Sequence, residues 1–365
     1  MLENRIFRVQ KNNLHQSELI SSPIADAAAL KTGEVLMKID QFAFTANNIT
    51  YGIIGDKFGY WQFFPTSDAE WGIIPVWGFA DVVASQNDQI KVGERFYGYY
   101  PMASYCILES DKVKPNGFQD TSAHRSMLAP VYNYYINTQH DPSYQKAQEA
   151  FQMLMRPLFL TSFLIDVFLA EKDFFSAKHI ILTSASSKTA FSLAALLKKR
   201  QQEHHSPYKI VGITSNNNLA FVEKLNLYDE VISYDALSEK QFEASCIVDF
   251  AGNHKLLYQL QQRLQDLIRY TCFVGMVHWE QRQGQAGEKV IGELFFAPQH
   301  AMNYNKAWGQ EVFQQRSGEA WHFFSQHYGN TLEVELVKEE TRLKTMYEET
   351  LMGKLSPQKG IVVAM

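Results

Sequence analysis

Between Gly33 and Pro115 the chain runs in short stretches, GEVLMKIDQFAF, PVWGFADVVAS and GERFYGYYPMASYCILE, rich in β-branched and aromatic residues and bounded by Gly, Pro, Asn or Asp. That texture predicts an antiparallel sheet or small barrel. It breaks over Val131–Ala150, VYNYYINTQHDPSYQKAQEA, which predicts a loop or short helices, an insertion ahead of the long apolar helix FQMLMRPLFLTSFLIDVFLAEKD. From Lys178 the pattern changes again. KHIILTSA, KIVGITS, DEVISYD, SCIVDFAG and RYTCFVGMV are short apolar strands, and TAFSLAALLKKR, NNLAFVEKLN and KLLYQLQQRLQDLI between them carry helical periodicity. Parallel strands need crossover connections, so this alternation predicts a parallel sheet wrapped by helices. The tail mixes helix (WGQEVFQQRSGEAWHFFSQHY, TRLKTMYEETLMG) with strand (LEVELVK, GIVVAM) and is expected to return to the first lobe.

Length makes two lobes the better expectation: 365 residues exceed a usual single core. The expected division is a β-rich lobe over 1–150, a nucleotide-binding domain over 151–305 and a returning segment over 306–365. A formal charge of −5 offers no general attraction to a phosphate backbone, which argues against nucleic acid as a partner. The N-terminal stretch has no apolar run fit for a signal peptide and no run of ~18 uninterrupted apolar residues follows, so a cytoplasmic protein without a membrane partner is expected. Cys106, Cys246 and Cys272 stand far apart in apolar settings, as buried thiols do.

The chemistry of the second lobe concentrates where its first strand turns into its first helix, ILTSASSKTAFSLA. Open α/β sheets bind ligands at the carboxyl ends of their strands, where a helix N-terminus offers free amides to an anion. Glycines normally occupy such a turn in dinucleotide folds. Here Ser184, Ala185, Ser186 and Ser187 replace them, small enough for close approach, with hydroxyls that can donate to phosphate; Lys188 and Thr189 complete the candidate anion site. Serines are also ordinary helix caps, so capping alone is the competing reading. Ser187-Lys188-Thr189 echoes the end of a Walker-type phosphate loop, but both of that motif's glycines are missing. After KIVGI the chain reads Thr214, Ser215, Asn216 and Asn217, with no acid to grip a free ribose hydroxyl pair. Neutral donors there favour NADP(H) over NAD(H), although they also suit a cap for the following helix.

In GEVLMKID with Ala46-Asn47-Asn48, IKVGERFYGYYPMASYCILESDKVKP, RPLFLTSFL, KLNLYDEVISYD and LMGKLSPQKGIVVAM, the chain resembles the medium-chain dehydrogenase/reductases. The closest likeness is to their quinone and enoyl reductases, through an uncharacterised branch marked by TSASSKTA, TSNNNLAFVEKL and VGMVHW. The resemblance implies a GroES-like β-rich lobe, a Rossmann-type doubly wound sheet and an NADPH-dependent oxidoreductase. Zinc-dependent members carry a catalytic Cys, a Gly-His-Glu block and four clustered cysteines; this chain has AFTANN, VWGFAD and no cysteine cluster, so neither zinc site is expected.

Reduction by hydride needs a proton donor near the atom that gains charge. Tyr51, Tyr60 and His278 are the candidates, with Asn48 able to orient a carbonyl or simply to hold a turn. By the resemblance, Thr161 faces the nicotinamide pocket and Gly275 ends the strand that passes it. Arg156, inside an apolar helix, must pair with Asp166 or meet an anion such as the dinucleotide diphosphate. The aromatic cluster Tyr51, Phe58, Tyr60, Trp61, Phe63 and Phe64 hints at an apolar or conjugated small-molecule substrate, or is packing within the lobe. The apolar FFAPQ segment is compatible with a homodimer. A protein that kept the fold as a non-catalytic nucleotide-binding scaffold is the alternative function.

Overall fold

A computed structural model describes residues 2–274 and 289–365 of the chain. In chain order come β1 (Leu2–Gln10), β2 (Asn13–Ile24), β3 (Glu34–Phe44), α1 (Ala46–Ile53), α2 (Gly55–Phe58), β4 (Trp71–Gly72), β5 (Pro75–Ser85), β6 (Arg95–Pro101), β7 (Tyr105–Lys114), β8 (Gly117–Asp120) and β9 (Tyr134–Asn137). Then follow α3 (Glu149–Glu171), β10 (His179–Thr183), α4 (Lys188–His204), β11 (Lys209–Thr214), α5 (Leu219–Lys224), β12 (Glu230–Ser233), β13 (Ser245–Asp249), α6 (His254–Leu264), β14 (Ile268–Phe273), β15 (Glu293–Leu294), α7 (Ala297–Trp308) and α8 (Gln310–Tyr328). The tail gives β16 (Glu333–Val337), α9 (Glu340–Leu351) and β17 (Lys359–Val363). These elements form two compact units, Met1–Leu154 with Gly329–Met365, and Met155–Tyr328.

In the first unit an eight-stranded sheet runs β16-β17-β3-β5-β6-β9-β8-β7, and β7 pairs back with β3, closing a six-stranded barrel. Closure explains the sequence pattern: β3 buries Val35, Met37, Ile39, Phe42 and Phe44 while Lys38 and Asp40 face out. Strand β9 lies in the stretch the sequence assigned to a loop or short helices. It is only four residues long, but it joins β6 to β8 and the barrel cannot close without it. A smaller sheet, β2-β1-β4, holds the N-terminal hairpin. The tail strand β17 pairs antiparallel with β3 and carries β16 at its outer edge.

The barrel encloses a buried ion pair. Arg125 and Asp120 meet at 2.8 Å with side chains 2% and 1% exposed. Arg125 also donates to Tyr135 Oη (3.0 Å) and the Phe63 carbonyl (3.2 Å), and its guanidinium lies over the Phe64 ring. Asp120 Oδ1 accepts from the Ser122 hydroxyl and amide.

In the second unit the strands order β12-β11-β10-β13-β14-β15, all parallel. This is the doubly wound order of dinucleotide folds, with its switch point between β10 and β13. Every residue of β10 and β13 is buried, as strands covered on both faces must be. Helix α3 has the length and apolar composition to cross a membrane, yet 56% of its apolar window is buried inside the protein, which is how a core helix meets the same composition. It is fixed to α4 by Arg200, which grips Asp166 with two bonds of 3.0 and 2.6 Å, and by the Ser162 hydroxyl on the Thr189 carbonyl (2.8 Å).

Removing one member of the Arg125–Asp120 pair leaves the other charge buried. Asp120→Ala is expected to destabilise the protein by about 3–5 kcal/mol in urea unfolding, and a cost below about 1 kcal/mol would show that the pair carries no such weight.

Candidate functional sites

Where β10 ends, the backbone turns through Ser184 at φ +48°, the left-handed region that glycine adopts freely. A serine therefore stands in the conformation for which dinucleotide turns use glycine. A network at the strand ends holds it. Thr183 Oγ1, fully buried, donates to Asp249 Oδ1 at 2.6 Å and accepts from the amides of Phe250 (3.0 Å) and Ala251 (3.2 Å), tying the ends of β10 and β13 together across the switch point. Tyr234, just after β12, is half-buried, and burial raises its phenol pKa.

The next residues are packed rather than open. Ala185 donates its amide to the Ile213 carbonyl (3.0 Å) and its own carbonyl accepts from Tyr228 Oη (2.8 Å). Gly212 makes room for this: a Cβ there would stand 2.7 Å from the Tyr228 ring and 3.0 Å from the Ala185 Cβ. Ser186 is buried, its hydroxyl accepting from Asn218 Nδ2 (3.1 Å) and Thr214 Oγ1 (3.4 Å). Ser187 caps α4, its Oγ accepting from the Ala190 amide at 3.2 Å. The capping reading holds, and it is compatible with the anion reading, because a capped helix still begins with the positive end of its dipole at this turn. Lys188 is half-buried, and desolvation pushes its ammonium down to about 8.

The structure brings Ser184, Ser186, Ser187, Lys188, Thr189 and Thr214 together around one turn. Ser215 is half-buried and Asn216 exposed beyond β11. The sequence shows no acid after β11, but the fold supplies one from the end of β12: Asn216 Nδ2 donates to Asp235 Oδ2 at 2.5 Å. Nineteen residues separate the pair, so no local motif announced it. Thr161 and Arg156 lie half-buried on α3. The expected pairing of Arg156 with Asp166 does not form. Ten residues along one helix place them about 15 Å apart, and Asp166 takes Arg200 of α4 instead. Gly275 and His278 lie outside the described residues.

In the barrel unit, Asn48 is buried and largely committed to its turn. Its Oδ1 accepts from the Thr45 amide (2.8 Å) and hydroxyl (3.0 Å), and its Nδ2 donates to the Pro75 carbonyl (2.9 Å). That geometry is a capping box, one of the two roles the sequence allowed it. Tyr51 and Tyr60, 6% and 5% exposed, pack with ring centroids 4.5 Å apart and planes tilted by 31°. Around them pack Phe63, Tyr99, Tyr132 and Trp77. Tyr60 Oη and Tyr132 Oη share a hydrogen bond of 3.0 Å. Burial raises the pKa of Tyr51, Tyr60, Tyr99 and Tyr132, so all four stay protonated at neutral pH and are available as donors. Tyr99, Tyr132 and Trp77 were not singled out from sequence; eighteen tyrosines hide any two of them. Among the described residues, no three His, Cys, Asp or Glu side chains gather as a metal-binding group.

The barrel, the strand order and the switch-point turn define the class: a GroES-like lobe with a Rossmann-type lobe, the fold of the medium-chain dehydrogenase/reductases. The chain belongs to the family described as "Protein of unknown function (DUF2855)", whose model matches residues 42–356. Comparison with curated proteins gives no match. Among solved structures it is similar to CurA from Vibrio vulnificus in complex with NADPH (11% identity, TM-score 0.61, 99% of each chain covered). It is also similar to a quinone oxidoreductase from Coxiella burnetii (12%, 0.54, 100% of each chain) and to a mutant form of enoyl thioester reductase from Candida tropicalis (11%, 0.58, 100% of each chain). At such identities the likeness is one of fold.

Thr183→Val keeps the shape of the buried side chain but removes the hydroxyl that donates to Asp249 and an acceptor shared by two amides. An expected loss of about 2–3 kcal/mol in chemical denaturation follows. Unchanged stability would remove the Thr183–Asp249 clamp from the account of this turn.

Proposed function

We propose that this protein is an NADPH-dependent oxidoreductase that works without zinc and reduces an activated double bond or carbonyl, of enone, quinone or enoyl type. What carries the reading is the Ser184 turn: a left-handed residue at the switch point of a doubly wound sheet, followed by small side chains and a helix N-terminus. That arrangement fits a diphosphate. Ser184, Ser186, Ser187, Lys188 and Thr189 would hold it, with Thr214, Ser215 and Asn216 toward the adenosine ribose, and Thr161, Arg156 and Gly275 assigned by resemblance. When bound, the dinucleotide supplies a hydride. The chain's own residues supply the proton, from Tyr51, Tyr60 or His278, with Asn48 fixing the turn that presents Tyr51. The proposal extends to a cytoplasmic setting, a small apolar or conjugated substrate, and no nucleic-acid or membrane partner.

Fluorescence titration with NADPH and NADH tests it. Saturable binding followed by oxidation with at least one of a panel of enones, quinones, enoyl thioesters and aldehydes supports the reductase. Saturable binding without turnover on any of them supports the scaffold alternative, and no binding of either dinucleotide overturns both.

Lys188 gives the binding a pH signature. Its lowered pKa means that the cation the diphosphate needs is lost as pH rises through about 8. In the free protein the sign is opposite: between about 8 and the ordinary 10.5 the unfolded chain holds the extra proton, so stability rises with pH across that window. NADPH affinity should therefore fall above about pH 8. Lys188→Ala should weaken it roughly tenfold at pH 7 and flatten the profile, a loss of the size expected for one charge-assisted contact. Equal affinity in the variant would remove this lysine from the site.

Asp235 bears on the choice of dinucleotide, because a carboxylate bonded to Asn216 repels a 2′-phosphate and favours NADH as the second reading. Asp235→Asn should shift the NADPH-to-NADH affinity ratio toward NADPH by about five- to tenfold, measured by paired titrations. A ratio that stays constant places Asp235 away from the ribose.

A further inference from the structure

The chain passes from one unit to the other twice, inside α3 at Leu154 and Met155 and after α8 at Tyr328 and Gly329. The first crossing is a single helix rooted at both ends. On the barrel side its first residue, Glu149, takes two bonds of 2.8 and 2.9 Å from Arg95 and one of 2.6 Å from the Tyr144 hydroxyl, while the same guanidinium holds Asp81 of β5 and Asp40 of β3. Leu154 fills the space that Gly360 of β17 leaves, since a Cβ there would stand 2.3 Å from its Cδ1. On the other side Phe159 packs on Trp321 and Phe324 of α8, with ring centroids 5.3 and 5.0 Å away, and Asp166 is gripped by Arg200. Residues 155–158 lie between these two sets of anchors.

Pro157 stands in that interval. It has no N–H to give the Met153 carbonyl, so α3 lacks one of its bonds next to the unit boundary, and the ring crowds that carbonyl. Burial follows the same division. Residues 151–155 and 162–166 are buried on every side of the helix, whereas Arg156, Pro157 and Leu158 are half-buried. One turn further on, the Ser162 hydroxyl bonds back to the Leu158 carbonyl at 3.1 Å, a contact that bends helices. The second crossing is no stiffer. Helix α8 ends at Tyr328, whose ring packs on Phe191 at 5.4 Å, and the chain turns at Gly329 and Asn330 before β16.

We infer that residues 155–158 of α3 and the turn at Gly329 form a two-strand hinge on which the two units rotate as bodies.

A hinge needs a few residues that can change φ and ψ between parts that cannot. A proline in a helix packed along one body would bend that helix and do nothing more. Here the break falls where the helix leaves one body for the other, with named anchors before and after it, and the only other connection is itself a turn. Because Phe159 and Phe324 are in contact, the two connections leave the second unit from neighbouring helices, so neither obstructs the bending of the other. The inference stands apart from the reductase reading, since it concerns the chain without dinucleotide or substrate.

Hydrogen exchange resolved by residue tests the hinge. Amides of residues 158–161 should exchange about tenfold faster than those of 163–166, although both stretches lie inside one helix. Pro157→Ala restores the missing donor and should bring the two rates together, with the circular dichroism unchanged. Rotation is read separately, by the distance between spin labels on Val92→Cys and Gln202→Cys, exposed positions in the two units of a chain whose own cysteines are buried. The distribution of distances should be about twice as wide in the parent as with Pro157→Ala added. Equal exchange along α3, or a width that Pro157→Ala leaves alone, overturns the inference. If Pro157→Ala fails to fold, the exchange contrast in the parent protein decides. Neither measurement contains dinucleotide, so its failure and a failure to bind NADPH are separate results.

Discussion

The constraint on which the second unit depends is the reversal of the backbone at Ser184. An L-residue held left-handed costs about 1–2 kcal/mol, and such a conformation persists only where its surroundings over-determine it. Here they do: Thr183 and Asp249 lock the strand ends on one side, and Ala185 is pinned between Tyr228 and β11 on the other. Glycine would make the turn without strain. With serine, the hydroxyl-rich rim and the rigid network take over the role that backbone freedom plays elsewhere in this fold.

The same substitution links packing to chemistry. Ser186 is held by Thr214 and Asn218, so the side chains beneath the turn come from the next strand and the segment after it, the region that would meet the ribose. The Ser184 turn and the segment after β11 therefore form one hydrogen-bonded body, and a change in either is felt in the other. In the barrel unit the economy is different. A fully buried Arg125–Asp120 pair and a packed aromatic cluster fill this unit, whose buried polar groups include the hydrogen-bonded hydroxyls of Tyr60 and Tyr132.

Most of the architecture was legible in the sequence because periodicity is local. The strands KHIILT, KIVGIT and SCIVD are continuous apolar runs, which only a sheet covered on both faces requires, and TAFSLAALLKKR shows the helical stripe between them. What escaped was set by distant partners. Strand β9 is too short to declare itself, and is a strand only because β6 and β8 flank it. The N-terminal hairpin was passed over although Lys11, Asn12 and Asn13 mark its turn. Helix α3 reads as apolar throughout, so its sequence could not say that Asp166 would turn to Arg200 and not to Arg156. At the turn, the serine-rich loop was visible as an unusual start to a helix, whereas Asp235 and Asp249 reach it only through the crossover topology. Tyr132 and Tyr99 likewise approach Tyr51 from far away in sequence.

A crystal structure of the protein grown with NADPH bears most directly on all of this. The expected result is the diphosphate seated on the Lys188 and Thr189 amides, rimmed by the serine hydroxyls, with Ser184 still left-handed. A turn filled by its own side chains, with the dinucleotide absent or bound elsewhere, would contradict the account and leave only the fold.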